Sequence, residues 1–108
     1  MSAKYDAIII GAGVIGAPIA FELAKKGYKT LSVDKLADAG EGSTAGSCAI
    51  VRAHYSTEDG VAMAYEGFKY WLDWENYLEH VADEKGLAKY MNTGSILIKS
   101  QGHDWRKV

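Results

Sequence analysis

The order of apolar and polar residues predicts a strand, a helix and a second strand in the first third of the chain. Residues 5–10 (YDAIII) end in an unbroken apolar run, which is typical of a strand buried on both faces in a parallel sheet. Residues 14–26 change to helical spacing, and Gly27 follows as a stop signal. The apolar face of this helix consists of Ile15, Ile19 and Leu23. Residues 29–34 (KTLSVD) predict the second strand, and the three elements together form a βαβ unit.

The rest of the chain predicts a long loop, a long helix and one more strand. Residues 35–55 have no clear period and are rich in Gly, Ser and Ala, which indicates a functional or disordered loop. Ser56 and Asp59 have the spacing of a capping box, so we expect a helix that begins there and runs to about Ala82. Residues 95–99 (SILIK) predict a third strand. The fold class is therefore α/β, a Rossmann-like βαβ unit in an incomplete parallel sheet. We also expect part of a second, antiparallel sheet.

Composition and charge restrict the class of protein. The chain has 108 residues, of which 48% are hydrophobic and 24% charged, and these values exclude a disordered chain and fit one domain. A net charge of -2 gives no reason to expect nucleic acid as a partner. The longest uncharged run, residues 7–21, is shorter than the ~18 residues that a membrane-spanning helix needs. The single cysteine, Cys48, indicates a reducing compartment, and we expect a cytoplasmic protein.

Three glycines at the first strand-to-helix junction form the pattern GxGxxG. The pattern follows a predicted strand, opens a predicted helix and precedes an acidic residue at the end of the next strand, as in dinucleotide-binding proteins. Gly11 permits the tight turn, Gly13 leaves room for a pyrophosphate, and Gly16 lets the helix approach the strand. The predicted cofactor-binding residues of this motif are Gly11, Ala12, Gly13, Val14, Ile15, Gly16 and Asp34.

The acidic residue at the end of the second strand narrows the choice of cofactor. Asp34 can accept hydrogen bonds from ribose hydroxyls and would repel a 2′-phosphate, which disfavours an NADP-type cofactor. The glycine pattern by itself does not separate FAD from NAD. A NAD-dependent oxidoreductase and a non-catalytic nucleotide-binding module therefore stay open as alternatives at this point.

Several stretches of the chain carry a family resemblance, namely residues 8–35, which contain the glycine pattern, residues 42–55 (GSTAGSCAIVRAHY), the predicted helix after them, and residues 93–98 (TGSILI). They resemble the D-amino-acid oxidase-like flavoproteins, especially the sarcosine oxidase group. Some relatives attach FAD covalently through a histidine in the second stretch, where this chain has Thr44 and Ala45. The resemblance covers most of the chain and implies FAD as the cofactor.

The resemblance also implies an activity and the residues that carry it. It implies oxidation of a C–N bond in an amine or amino acid, a sarcosine- or glycine-derivative-like substrate, by hydride transfer to the flavin, and hydrolysis of the resulting imine. Arg52 would bind the substrate carboxylate, which a planar guanidinium can hold through two hydrogen bonds. No general base is identified. The residues implied to contact FAD beyond the glycine motif are Lys35, Ser43, Thr44, Cys48, Ala49 and Ile50.

The same resemblance implies how the chain is divided. We expect the N-terminal part of an FAD-binding domain, with the βαβ unit and flavin loop in residues 1–58. Residues 59–108 would supply a helix and the start of a substrate-domain strand, and the partner would be the remainder of the same chain. His54 lacks companions at metal-ligand spacing, so no metal site is predicted. The aromatic residues Trp71, Trp74 and Tyr77 are expected in a core or domain contact.

Overall fold

The computed structural model describes residues 3–80, 86–96 and 98 of the chain. The chain divides into two compact units, residues 1–50 and residues 51–108. Among the described residues, the first unit contains two strands and one helix, and the second contains two helices. No helix in the described ranges is long and apolar enough to cross a membrane.

The first unit is the predicted βαβ unit. Strand β1 spans Ala7–Ile10, helix α1 spans Gly16–Lys25, and strand β2 spans Thr30–Val33. The two strands are parallel, with Ala7 opposite Thr30 and Ile10 opposite Val33. Parallel neighbours need a crossover connection, and α1 supplies it by packing on both strands. The predicted α/β class is confirmed for this unit.

Burial of β1 on both faces, which the unbroken apolar run predicts, is not found among the described residues. Ile9 is the buried hydrophobic residue of the described ranges, whereas Ile8 and Ile10 are 63% and 88% exposed. A single helix can cover only one face of a two-stranded sheet. Side chains of a strand alternate between its two faces, and Ile9 lies on the face that α1 covers. On the other face Ile8 and Ile10 are exposed, and β2 is the strand that pairs with β1 in the described part of the chain.

Helix α1 begins two residues later than the sequence predicts. Pro18 is then its third residue, where the missing N–H group of proline costs no intrahelical hydrogen bond. Gly27 adopts a positive φ of 85° directly after the helix, which confirms it as the stop signal.

The long helix of the second unit is shorter than predicted at both ends. Helix α2 spans Glu58–Leu72, and its N-cap is Thr57, whose Oγ1 accepts a hydrogen bond from the Gly60 N–H at 3.2 Å. The expectation that Ser56 caps the helix is therefore wrong by one residue. The chain leaves the helical conformation at Asp73, with φ −133° and ψ 49°, before the short helix α3, Trp74–Tyr77. The predicted helix end at Ala82 lies outside the described residues.

Stacked aromatic rings join α2 and α3 across this break. The rings of Trp71 and Trp74 have centroids 4.5 Å apart, and those of Trp74 and Tyr77 are 5.3 Å apart. Tyr70 lies 4.9 Å from Tyr77, so four rings form one cluster. The contacts are made within the second unit. Trp71, Trp74 and Tyr77 are half-buried there, so the expected core position is not found among the described residues, and a domain contact stays a prediction.

The third predicted strand is not observed as a strand. Ser95, Ile96 and Ile98 lie outside regular secondary structure, while Leu97 and Lys99 lie outside the described residues. A strand forms only with a partner that accepts its ladder hydrogen bonds, and the described residues contain one sheet, β1 with β2. The second, antiparallel sheet stays a prediction.

Candidate functional site

A cavity of about 580 Å³ opens at the carboxyl ends of β1 and β2, within the first unit. Its volume lies in the range of small-molecule binding pockets. Six predicted cofactor-binding residues line it, namely Gly11, Gly13, Asp34, Lys35, Ser43 and Thr44. Sequence reasoning missed five further lining residues, namely Ile10, Val33, Leu36, Gly40 and Gly42.

Two glycines of the GxGxxG pattern have the conformational roles that the pattern predicts. Gly11 has a φ of 102°, a conformation that side chains rarely adopt, so the turn after β1 needs glycine there. A Cβ atom on Gly16 would collide with the carbonyl oxygen of Gly11 and would lie 3.2 Å from Ile9 Cγ2. The start of α1 therefore lies directly against the end of β1.

The middle glycine of the pattern makes a contact that the sequence does not reveal. A Cβ atom on Gly13 would lie 2.9 Å from Thr44 Oγ1, closer than real side chains allow. Gly13 thus leaves room for a hydroxyl group from the loop as well as for a ligand. A side chain at position 13 would therefore force the Thr44 hydroxyl to shift, whether or not a pyrophosphate is bound.

The backbone amides of the turn divide into paired and unpaired donors. Ala12 N–H donates to Asp34 Oδ2 at 2.7 Å, and Val14 N–H donates to Thr44 Oγ1 at 3.0 Å. Three other amides donate no hydrogen bond to a described residue, namely those of Gly13, Ile15 and Gly16. Unpaired donors at the positive end of a helix dipole form a favourable position for an anion.

The carboxylate at the end of β2 is held by backbone groups. Asp34 Oδ2 accepts from Ala12 N–H at 2.7 Å, and Oδ1 accepts from Leu36 N–H at 2.9 Å. The Ala12 N–H, followed by the Leu36 N–H, lowers the pKa of Asp34 because both donors favour the charged form. The side chain is exposed, and each carboxylate oxygen can accept a further hydrogen bond, so contact with ribose hydroxyls stays available.

The loop after β2 is folded onto the glycine turn through a few short contacts. Gly40 N–H donates to the carbonyl oxygen of Ala12 at 3.0 Å, and Gly40 has a φ of 84°. Thr44 Oγ1 accepts from Val14 N–H at 3.0 Å, in the turn before α1. The glycine content of the loop is the signal that could have indicated Gly40 and Gly42, since close backbone approach and positive φ both favour glycine.

Three further residues of the predicted flavin loop do not line the cavity. Cys48, Ala49 and Ile50 are exposed, and Ala49 has a positive φ of 53° while its N–H donates to Ser47 Oγ at 3.1 Å. Their contact with a flavin stays a prediction. Ala12, Val14, Ile15 and Gly16 also lie outside the cavity lining, although they build the turn beside it.

The predicted substrate-binding residue belongs to the second unit. The guanidinium carbon of Arg52 lies 5.5 Å from the centre of the Tyr55 ring, a cation–π contact. Two residues further along, His54 Nε2 and Ser95 Oγ are 2.6 Å apart. The three residues Arg52, His54 and Tyr55 thus have partners within their own unit.

The cavity suits a dinucleotide cofactor on chemical grounds. Gly13, Lys35, Ser43 and Thr44 line the cavity, and the unpaired amide of Gly13, the Lys35 ammonium group and the two hydroxyls can each donate to a diphosphate. Asp34, directly after the carboxyl end of β2, also lines the cavity and is an acceptor for hydroxyl groups. A linear ligand with an anionic centre and a neighbouring sugar matches this order of donors and acceptor.

Known proteins show similarity over most of the chain. A probable sarcosine oxidase from Arabidopsis thaliana is 35% identical over 69 residues, which are 63% of this chain and 17% of that protein. A glycine oxidase from Bacillus licheniformis is 41% identical over 54 residues, 50% of this chain and 14% of that protein. A monomeric sarcosine oxidase from Bacillus sp. strain NS-129 is 31% identical over 104 residues, 94% of this chain and 27% of that protein.

These relatives carry different names, so their similarity to the chain indicates a family rather than one particular protein. The chain spans 14% of the length of the glycine oxidase and 27% of the length of the monomeric sarcosine oxidase. No solved structure gives a significant match to it. The family described as DAO, FAD dependent oxidoreductase, matches residues 6–107. With the glycine turn, Asp34 and the loop in place, the chain belongs to this family of FAD dependent oxidoreductases.

Proposed function

We propose that the protein containing this chain oxidises a C–N bond of a small amine or amino acid, with a glycine derivative such as sarcosine as substrate. The names of the relatives, sarcosine oxidase and glycine oxidase, support this substrate class. FAD, when bound, supplies the oxidising power by accepting a hydride from the substrate carbon. The chain itself binds and orients the cofactor.

The observation that carries the proposal is the cavity at the strand ends. The unpaired amide of Gly13 lines the cavity and can donate to an anion, and the carboxylate of Asp34 can accept from hydroxyl groups beside it. Within an FAD-dependent family, these groups are suited to the pyrophosphate and the adenosine ribose. Lys35, Ser43 and Thr44 would add donors along the cofactor, and Cys48, Ala49 and Ile50 would follow toward the flavin ring.

Arg52 is the residue that we propose for substrate recognition. Its guanidinium group can hold a substrate carboxylate through two parallel hydrogen bonds and so fix the orientation of the carbon that is oxidised. The ring of Tyr55 restricts the guanidinium by lying 5.5 Å from it.

The proposal includes the place of the chain in a longer protein and in the cell. Residues 1–58 would form the dinucleotide-binding part and residues 59–108 would lead toward a substrate domain, with the remainder of the protein as partner. The free edge of β1 and the exposed Ile8 and Ile10 support a sheet that continues in other segments. We retain the cytoplasmic location as part of the proposal, since the chain has one cysteine.

The first experiment is a visible absorption spectrum of the purified full-length protein. Flavin bands at about 370 and 450 nm are expected, and they should fade under anaerobic conditions when sarcosine or glycine is added. Trimethylamine, which has a C–N bond and no carboxylate, serves as a comparison substrate. A protein that lacks these bands and binds NAD instead would contradict the proposal in favour of the nicotinamide alternative.

A further inference from the structure

The two parallel strands carry one matching carboxylate contact at each end. At the amino end, Asp6 Oδ2 accepts from Lys29 N–H at 2.7 Å. At the carboxyl end, Asp34 Oδ2 accepts from Ala12 N–H, also at 2.7 Å. Each contact joins a residue just outside β1 to a residue just outside β2 at that end of the sheet. Only the contact of Asp34 involves the glycine turn.

The contact with Asp34 fixes a residue that lies between two glycines. Gly11 and Gly13 can adopt more backbone conformations than other residues. Hydrogen bonds to the backbone of Ala12 can therefore fix the conformation of the turn. Ala12 is held on both sides, because its N–H donates to Asp34 and its carbonyl oxygen accepts from Gly40 N–H at 3.0 Å. The Ala12 carbonyl and the Gly13 N–H belong to one planar trans peptide and point in opposite directions. The Gly13 amide is therefore aimed away from Gly40 and left without a partner among the described residues.

We infer that Asp34 is a positioning residue for the pyrophosphate-binding turn, in addition to any contact it makes with ribose. Through Ala12 it sets the direction of the Gly13 amide, and through Leu36 N–H it ties the turn to the start of the loop. The inference rests on the proposed nucleotide-binding function, since it concerns the same cavity.

The positioning role and the ribose role predict opposite results for an anion that has no ribose. Asp34 carries a negative charge beside the site, so its removal alone should raise the affinity for inorganic pyrophosphate. If Asp34 also orients the donors, its removal should lower that affinity because the amides lose their fixed directions. The sign of the change separates the two roles.

The experiment is calorimetric titration of the full-length protein, freed of cofactor, with inorganic pyrophosphate. We expect Asp34→Ala to weaken pyrophosphate binding about tenfold, in the range for loss of one charge-assisted hydrogen bond. Asp6→Ala removes the matching carboxylate contact at the other strand end, and its pyrophosphate affinity should stay within about twofold of wild type. Asp34→Asn, which keeps the shape and one acceptor oxygen, should fall between wild type and Asp34→Ala.

The other outcomes overturn the inference in distinguishable ways. Unchanged or tighter pyrophosphate binding in Asp34→Ala, with weaker FAD binding, would leave Asp34 as a ribose ligand only. Equal losses of pyrophosphate affinity in Asp34→Ala and Asp6→Ala would show that the Asp34 contact only stabilises the strand pair. Thermal unfolding of both variants would measure that stabilisation. If wild type binds FAD but no pyrophosphate, the positioning inference fails alone. Failure of wild type to bind either compound would overturn the proposed function along with it.

Discussion

Gly13 is a residue whose need for glycine has two independent causes. Its position in the GxGxxG pattern indicates a close approach of a phosphate group to the backbone. The structure adds the Thr44 hydroxyl, 2.9 Å from where a Cβ atom would lie. The second cause acts in the absence of any ligand, and it can be tested through stability alone.

We expect Gly13→Ala to lower the free energy of unfolding by about 1–3 kcal/mol, the usual cost of overpacking. Removing the hydroxyl with Thr44→Ala should relieve the conflict, so the two losses should not add. The double-mutant cycle is measured by urea unfolding of the full-length protein without cofactor. Gly67→Ala is the control, because no described atom lies within 4 Å of its Cβ position and alanine favours the helix interior. Additive losses for Gly13→Ala and Thr44→Ala would contradict the steric conflict.

The ionised form of Asp34 makes stability depend on pH. Backbone donors, first Ala12 N–H and then Leu36 N–H, lower the pKa of Asp34 below its ordinary value of 3.8. A carboxyl group whose pKa is lower in the folded state stabilises the fold above the ordinary pKa. That contribution is lost as the pH falls from the ordinary value through the lowered one. The urea midpoint of wild type should therefore fall more steeply than that of Asp34→Asn below about pH 4. Parallel curves for the two proteins would show that Asp34 titrates equally in the folded and unfolded chain.

Arg52 is where the substrate class can be tested. For a substrate with a carboxylate, kcat/KM should decrease from wild type to Arg52→Lys and further to Arg52→Ala. Lysine keeps the charge but lacks the planar pair of donors. The alanine variant should lose about 100-fold, since a bound carboxylate is left without its partner. With an amine that has no carboxylate, the three proteins should differ little. Equal losses with both substrates, or loss of flavin from the variants, would favour a purely structural role for Arg52.

Among the elements, helix α2 shows how a pattern can place a helix and misplace its ends. Apolar spacing continues through Asp73 to Leu78, so the sequence predicts one helix where the structure has α2 and α3. A carboxylate that competes for local hydrogen bonds is a poor helix-interior residue, and Asp73 Oδ1 accepts from Asn76 Nδ2 at 2.6 Å. The break therefore comes from local polar chemistry that an apolar pattern does not record.

The start of α2 gives a test with a neighbouring control. Thr57→Ala removes the hydroxyl that accepts from Gly60 N–H, and it should lower the free energy of unfolding by about 1 kcal/mol. Ser56→Ala removes an equivalent hydroxyl one residue earlier and should change stability by less than about 0.5 kcal/mol. Chemical unfolding of the full-length protein measures both values. A larger effect for Ser56→Ala would restore the capping box that the sequence predicts.

At the scale of the whole molecule, the described part of the chain exposes much of its apolar surface. Ile8, Ile10 and Val33 on the two strands are 63%, 88% and 40% exposed, although the first two belong to a run typical of buried strands. Burial of each large aliphatic side chain contributes about 1.5–3 kcal/mol, so this surface represents stabilisation that further segments could supply. The proposal that the sheet continues elsewhere in a longer protein gives these residues a place.

The 108-residue chain expressed alone should therefore differ from the full-length protein. We expect it to bind a hydrophobic dye such as ANS and to hold FAD at least about tenfold more weakly, because Ile8 and Ile10 on the described sheet are exposed. Dye fluorescence and FAD titration of both proteins measure the difference. Equal FAD affinity without dye binding would show that residues 1–108 complete the cofactor site unaided.

The sequence by itself determined the βαβ unit and the turn at its centre. Continuous and helical apolar spacing are local properties, and Gly11 and Gly16 are required by backbone conformation and close packing within a few residues. Asp34 could be identified because its distance from the glycines follows from the length of one strand and one helix. The sequence also indicated the family, which the match over residues 6–107 confirms.

Only the tertiary structure decided which groups of this site meet. Thr44 is 30 residues beyond Val14, and its hydroxyl caps that amide because the loop folds back onto the turn. Gly40 and Gly42 enter the cavity for the same reason, and no local pattern reports the path of an irregular loop. The burial of the β1 side chains was also decided by the tertiary structure. An apolar run shows that both faces of a strand are suited to burial, but the segments packed against it determine which side chains are buried.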